Sequence, residues 1–581
     1  MAAGLLYLIW TSRGRHAIPS PAEMGAGNGV NGGSFSMSAM TAAGRRGLVE
    51  HLLDALTDSA RRERAVALAL LGYVAVWTLY AVLAKGSQDI HADLSEQYVL
   101  SRELAWGYPK HPPLAMWVVR AWFAVFPTAD WAFYLLAMAN AGLALWIIWR
   151  LSARFLDAEK RVVGLALLTL VPFFNFHALK FNVNTLLIPL WAATTLWFLR
   201  SFETRRLLDA ALAGLFAALA MNTKYWSVFL LLGLGIAALV DHRRATYFRS
   251  GAPWVTIAVG AAALAPHAAW LVENDLVVVS YAVATHAAPS FMATVRAALG
   301  YLGGSIAYVA VALVIFAIVA RPSRTAVKDM AWPQAPERRL AAIAFWGGLL
   351  SPAVIAPAMG LHVGSVWSMS AFALWPVMLL SSPLVAITRR DAMRVLALAV
   401  AFPVVMAAVA PAIAFGIHRT AKSTGGVAHS SVVGDAVERL WRETSDQPLK
   451  NFAGYDELTD GVSFYMPNHP RAVHLLDGFV PQAARERVDR DGVVLLCPVH
   501  ARTAVGADWC YTAAMSYVWC SIPGKEMEIE VARRYLGVDG KPARYLLFTI
   551  PPWQIEKLPS LRQPIEAYAA AHFNVKWPQP R

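Results

Sequence analysis

Apolar residues in this chain come in uninterrupted runs, separated by short polar stretches. The runs are about 17–25 residues long, the length of helix that crosses a hydrocarbon core of about 30 Å. Backbone polar groups cannot go unpaired in lipid, so each run is expected to be helical. The predicted spans are 66–84, 130–149, 162–178, 184–199, 207–222, 225–240, 253–272, 298–320, 340–358, 366–387 and 393–415. The pair 207–222 and 225–240 shares a tight turn at Asn222–Lys224. After residue 415 the pattern changes. Short β-prone runs (Val493–Cys497, Tyr545–Ile550) alternate with stretches that read as helix (Val432–Glu443, Met527–Leu536). The predicted fold is an α-helical polytopic membrane protein of about eleven helices with a small C-terminal α/β domain.

Charge gives this pattern an orientation. Lys and Arg concentrate in alternate loops, at 149–161, 200–206, 241–249, 321–339 and 389–394, with Arg61, Arg62 and Arg64 ahead of the first span. The opposite loops hold few cations: Lys85, Arg102, Lys110, Lys180, Lys224 and Arg296. By the positive-inside bias the basic set is cytoplasmic. An odd number of spans then places the N-terminus inside and the C-terminal domain outside. The expected division is a cytoplasmic, disordered N-terminal extension over 1–60, a membrane domain over 61–415 with a first outer loop at 85–127, and a periplasmic domain over 416–581. Met1–Gly44 carries no apolar core long enough for a signal sequence, and Met37 and Met40 are alternative starts.

Composition agrees. With 57% hydrophobic and 15% charged residues the chain is too apolar for an ordinary soluble globule. Its net charge of +13 is explained by the loop cations, and nothing resembles a nucleic-acid module, so no nucleic-acid partner is expected. Trp77, Trp131, Trp149 and Trp254 sit near the ends of runs, as in an aromatic belt. All three cysteines, Cys497, Cys510 and Cys520, fall in the C-terminal part; outside the cytosol they allow one disulfide, most simply Cys510–Cys520, with one thiol left over and the pair not chosen by the sequence.

The first outer loop holds the densest candidate chemistry. Asp93 and Glu96 are three residues apart, which places them on one face of a helix near its first turn. Helix capping alone accounts for acids there, so this spacing leaves a structural and a chemical role equally open. In Gly107-Tyr108-Pro109-Lys110-His111-Pro112-Pro113 the prolines stiffen the chain and present Lys110 and His111 in fixed geometry. Leu114–Phe126 is apolar but short and suits a helix lying in the interface. His177, Lys180, Asn182 and Asn184 cluster at one outer end, and Asn222 with Lys224 at another. Polar groups at membrane depth are costly and commonly functional. His286 and His362 are weaker candidates. No metal spacing, P-loop or dinucleotide fingerprint occurs, so no cofactor is expected, and metal dependence stays open.

These features together resemble glycosyltransferase family 39, GT-C membrane transferases that include protein O-mannosyltransferases and the lipid A aminoarabinose transferase. The resemblance is carried by Asp93, Glu96, Tyr98 and SRELAWGYPKHPPLAMW (101–117), and continues more generically through 186–200 and 214–226. It implies a polyprenyl-phosphate-linked sugar as donor and an acceptor hydroxyl on a lipid A or core sugar, another envelope glycan, a lipid or a protein. Membrane lipids are the other partners it implies. By the same resemblance Asp93 is the general base, with Glu96 beside it. Tyr98, Tyr108, Lys110, His111, Asn182, Asn184 and Lys224 hold the donor's phosphate and sugar. The sequence departs from the family in two places. Leu94 replaces the second acid of an adjacent pair, and Asn182 and Asn184 stand where a further acid is common. An amide cannot serve as base, so Asp93 carries more of the chemistry here. A transporter of a lipid-linked sugar is the competing reading, and it requires inverted repeats that the sequence does not display.

Overall fold

A computed structural model describes residues 47–420, 429–454, 456–473, 490–499 and 526–550. Residues 1–46, Cys510 and Cys520 lie outside the described residues; within the extension expected to be disordered, Leu48–Thr57 is instead a helix that buries Leu53 and Leu56. Among those described, seven helices are long and apolar enough to cross a membrane. They are α1 (Arg62–Lys85), α4 (Asp130–Ser152), α6 (Val183–Thr204), α9 (Ala252–Glu273), α10 (Phe291–Ala320), α11 (Pro336–Ala358) and α12 (Arg389–Thr420). Between α1 and α4 lie two short helices, α2 (Ala92–Ser101) and α3 (Leu114–Phe123). An eighth span is completed if α5 (Ala158–Thr169) is joined to Pro172–Lys180, which follows it at a bend of 78°. The stretches read from sequence as spans 207–222, 225–240 and 366–387 are shorter apolar helices, at Leu207–Met221 (α7), Tyr225–Val240 and Ser365–Leu380. Within the second of these, α8 is Val228–Val240. In the third, residues 365–374 form a 3-10 helix.

The outer surface of this bundle is oily. Leu71, Trp254, Ile257, Val272 and Ile306 are all well exposed, a surface only lipid can satisfy. Inside, α1 packs against α4 and α12, α7 against α6 and α9, and α8 against α11. The last pair touches through glycines. A Cβ on Gly233 would lie 2.6 Å from the backbone nitrogen of Gly348, so the two backbones meet without side chains between them. Two of the four expected belt tryptophans are core residues instead: Trp77 and Trp149 are buried, the latter beneath the guanidinium of Arg161 at 3.7 Å. Trp131 and Trp254 are exposed.

The two ends of the bundle differ in chemistry. At one, the loop cations find carboxylates: Arg389 with Asp54, Arg154 with Glu203, Arg338 with Asp329 at 2.7 Å and Arg243 with Asp241 at 2.9 Å. The other end carries the candidate site and, beyond α12, the C-terminal domain. That domain is a five-stranded mixed sheet in the order β2-β1-β3-β7-β4, from Arg471–Val473, Asn451–Gly454, Val493–Pro498, Ala543–Ile550 and Glu526–Val531 respectively. The short pair β5 (Arg534–Tyr535) and β6 (Val538–Asp539) stands apart from it. Two helices, α13 (Ser430–Arg442) and α14 (Asp456–Tyr465), cover the sheet, burying Val433, Val437, Trp441 and Leu458 against Phe452, Leu496 and Leu547.

Two expectations about this domain are corrected. Met527–Leu536 is not helical; β4 and the β5 strand occupy it. Glu526, Glu528 and Glu530 alternate with Met527, Ile529 and Val531, and that period of two is a strand's. The pairing Cys510–Cys520 also fails, because Cys497 on β3 is disulfide-bonded, to a cysteine outside the described residues.

Candidate active site

The site grows from the N-termini of two helices. Helix α2 begins at His91, whose Nδ1 accepts a hydrogen bond from the backbone N–H of Asp93 at 3.1 Å. An accepting Nδ1 leaves the ring proton on Nε2. Burial and the neighbouring Lys180 and Lys85 depress the His91 imidazole although Asp93 pulls the other way, which keeps the cap neutral. Asp93 therefore sits in the first turn of α2, where unpaired N–H groups favour an anion. Leu94, Tyr98 and Ser101 are buried along one side of the helix, and Asp93 and Glu96 lie on the more exposed side.

Helix α6 begins at Asn182 with a capping box. Asn182 Oδ1 accepts from the backbone N–H of Asn184 (2.9 Å) and Thr185 (3.1 Å), and Thr185 Oγ1 accepts from Asn182 N. With its oxygen committed to the cap, the amide must turn its Nδ2 outward. There it donates to Asp93 Oδ2 at 2.6 Å. The residue that sequence reasoning treated as a missing acid is thus a hydrogen-bond donor that fixes the remaining one.

Cations surround this pair. Lys224 Nζ donates to Asn184 Oδ1 at 2.8 Å and lies 4.2 Å from the ring centre of Trp367. Burial lowers its ammonium to about 7, and Asp93 opposes that fall. Lys110 pairs with Glu96 at 3.1 Å, so Glu96 steadies a cation as well as flanking Asp93. Lys85 and Lys180 lie within electrostatic reach of His91, and Lys110 and Lys224 within reach of His111. The four lysines come from the end of α1, the proline loop, the segment before α6 and the turn after α7.

The proline loop is pinned on several sides. Tyr108 and His111 exchange backbone hydrogen bonds (3.0 and 3.3 Å), and Leu114 N donates to Asn222 O at 2.9 Å, tying the loop to the Lys224 turn. His267 Nδ1 meets Trp106 O at 2.7 Å, and Trp117 Nε1 donates to Ala105 O at 2.9 Å. A Cβ on Gly107 would lie 2.2 Å from the ring of Trp270, so only glycine fits there. Helix α3, expected from sequence as an interfacial helix, follows directly, and its Arg120 donates to the carbonyls of Ser101 and Arg102 at the end of α2.

Three sequence expectations change here. His111 cannot act as a cation. Burial, with Lys224 and Lys110 nearby, pushes its imidazole down to about 3, so it offers only a neutral hydrogen bond at any working pH. Tyr98 is buried between Phe123 and Phe464 (ring centres 5.4 and 5.1 Å), away from the carboxylate face of α2. Tyr108 is buried too, and its hydroxyl donates to Glu103 O at 2.5 Å within the loop itself. Both tyrosines are packed into the protein, Tyr98 on α2 and Tyr108 in the loop. His286 stacks edge-on against Trp367 at 4.9 Å, and His362 N donates to His286 O at 2.7 Å, so the two outlying histidines stand behind the tryptophan that carries Lys224. Sequence reasoning missed His91, because a histidine cap is uncommon, and Trp367, because nothing local marks a ring that a distant lysine will cover. Among the described residues no three His, Cys, Asp or Glu side chains gather as a metal site.

Residues 110–270 match the family model for dolichyl-phosphate-mannose-protein mannosyltransferase. The matched region takes in Lys110, His111, Asn182, Asn184 and Lys224, and begins after Asp93. No curated protein sequence matches the chain. Its fold resembles crystal structures of ArnT from Cupriavidus metallidurans, one bound to undecaprenyl phosphate and one in the apo state. Each gives a TM-score of 0.53 at 12% identity over 82% of this chain; 97% of the bound and 98% of the apo relative are covered. The middle of the sequence thus matches that family model, and the fold as a whole is the polytopic helical membrane architecture seen in the ArnT structures.

Proposed function

We propose that this protein is a membrane glycosyltransferase that moves a sugar from a polyprenyl-phosphate donor to an acceptor hydroxyl. The observation that carries the reading is a carboxylate held by an amide at 2.6 Å in a ring of lysines drawn from four separate segments. A carboxylate so placed can take a proton, and the lysines can receive a phosphate. In the proposed step the acceptor O–H gives its proton to Asp93 as its oxygen attacks the anomeric carbon. The bond from that carbon to the phosphate oxygen breaks, and polyprenyl phosphate leaves. Asn182 keeps one carboxylate oxygen occupied and aims the other. Lys224, Lys110, Lys85 and Lys180 offset the charge that grows on the departing phosphate, the transition-state term usually worth most. Asn184 holds Lys224 in place, and His111 adds a neutral donor.

The undecaprenyl phosphate bound to the solved relative supports a polyprenyl phosphate here. The positive-inside bias of the ion-paired end supports a cytoplasmic assignment for it, with the site and the C-terminal domain on the outer face of a bacterial inner membrane in this reading. The acceptor is an envelope glycan, lipid or protein that reaches that face.

Transfer of labelled sugar from a polyprenyl-phosphate donor in proteoliposomes tests this. Asp93→Asn keeps the shape and removes the base, and transfer is expected to fall about 10²–10⁴-fold. Wild-type transfer by that variant would remove Asp93 from its role. An intact protein that moves the lipid-linked sugar across the bilayer without cleaving it would favour a transporter.

A further inference from the structure

Four residues before Asp93 the chain meets its own C-terminal domain. Asp89 is almost fully buried, and its Oδ1 accepts from Arg533 at 2.5 Å and from Ser431 Oγ at 2.7 Å. The next residue, Ile90, donates its backbone N–H to the hydroxyl of Tyr465 at 2.8 Å. Midway along α2, Tyr98 packs on Phe464 and, at 5.9 Å, on His469. At its far end Arg102 donates to the carbonyls of His469 and Pro470. The helix that carries Asp93 is thus held at its start, middle and end by the C-terminal domain. Its carboxylate face is left to Asn182 and the lysines. The strongest of these ties is the first. Arg533 stands just past β4, and 444 residues separate it from Asp89, so nothing but the tertiary fold joins them. Burial raises the Asp89 carboxyl although Arg533 and Ser431 oppose that rise, and its buried Oδ2 has no hydrogen-bond partner among the described residues. The carboxylate therefore depends on Arg533 for its stability in place.

We propose that Arg533 is a positioning residue for the reaction: through Asp89 it fixes the start of α2, and so sets the Asp93 carboxylate against Asn182 and the acceptor hydroxyl. On this view the C-terminal domain is the rear wall of the catalytic centre, whatever else it binds. The inference rests on the reading of Asp93 as base. It adds a prediction that reading does not make, because Arg533 lies outside the ring of lysines.

The test compares steady-state transfer from a synthetic polyprenyl-phosphate sugar by the full-length protein in proteoliposomes. A buried carboxylate without its guanidinium can loosen the junction, so Arg533→Met is paired with Asp89→Asn/Arg533→Met, which removes both charges, and with Arg533→Lys. A misplacement of about 1 Å can cost about 10²-fold in rate. Arg533→Met and the double variant are therefore expected to lose about ten- to a hundredfold in kcat with the donor KM unchanged, and Arg533→Lys to recover most of it. In an Asp93→Asn background the same changes are expected to add nothing, since there is no base left to misplace. A folded double variant with wild-type kcat overturns the proposal, as does an equal loss in both backgrounds. Full activity of Asp93→Asn sinks the base assignment instead, so the two failures are told apart.

Discussion

At the scale of single residues, the site depends on one amide whose two ends cannot be exchanged. Asn182 accepts with its oxygen to start α6 and donates with its nitrogen to Asp93. Asn182→Asp keeps the cap and replaces the donor by a second carboxylate at 2.6 Å from the first. Two carboxylates at that distance cannot both ionise easily. The acid limb of kcat/KM is expected to move to higher pH by a unit or more, roughly the size of a close like-charge effect. An unchanged profile would mean that Asp93 is not held as described. Lys224 makes the opposite prediction at the alkaline side. Burial lowers its ammonium to about 7, so the charged form is full below that pH and drains away above it. Donor kcat/KM is expected to fall as pH rises through 7, and Lys224→Arg, which stays charged, is expected to remove that limb.

Much of this was legible and some was not. Asp93 entered through the family resemblance and Lys110 through the prolines that flank it, whereas Asn184 and Lys224 stand out because polar groups are rare at the ends of such apolar runs. At Asn182 the sequence displays a missing acid, but which way an amide faces depends on the cap it makes. Tyr98 and Tyr108 stand beside charged residues in the motif, and sequence proximity does not reveal which side of a helix or loop is buried.

At the scale of elements, the architecture brings the positive ends of α2 and α6 together, with the proline loop fastened to the turn that follows α7. Rigidity of that turn depends on what lies beneath it. Helix α8 starts a few residues after Lys224 and is locked to α11 where Gly233 meets Gly347 and Gly348. Gly233→Val would force the two backbones apart. Overpacking of this kind costs about 1–3 kcal/mol, which is expected to lower the melting temperature in detergent and to weaken donor binding through the displaced Lys224. A stable variant with unaltered donor KM would show that the turn is held by other contacts. Hydropathy found the long helices easily. At 207–222, 225–240 and 366–387 the helices are shorter than the long spans, because apolar character does not report where a helix is short, bent or rewound as 3-10.

At the scale of the whole molecule, charge sorts the two ends. Basic loops lie where Arg338, Arg243 and Arg389 are paired, and the site and the sheet domain lie opposite. A cysteine placed at Ser323 is expected to react with a membrane-impermeant maleimide only after permeabilisation, and one at Ser445 in intact cells. The reverse pattern would put Asp93 in the cytosol, out of reach of an exported acceptor. The change of pattern after residue 415 marks the C-terminal part as a domain of its own. Its sequence could not show that Phe464 enters the core of the bundle beside Phe133, or that Arg533 closes on Asp89, since such contacts join residues hundreds of positions apart.

Cys497 lies on the central strand of that sheet and is bonded through its sulfur. Such a bond forms and lasts only where thiols are oxidised. If the sheet domain braces the helix that bears the base, a cell short of thiol-oxidising capacity would make a chain that inserts normally yet matures poorly, and its glycan output would track the redox state of the compartment outside the membrane.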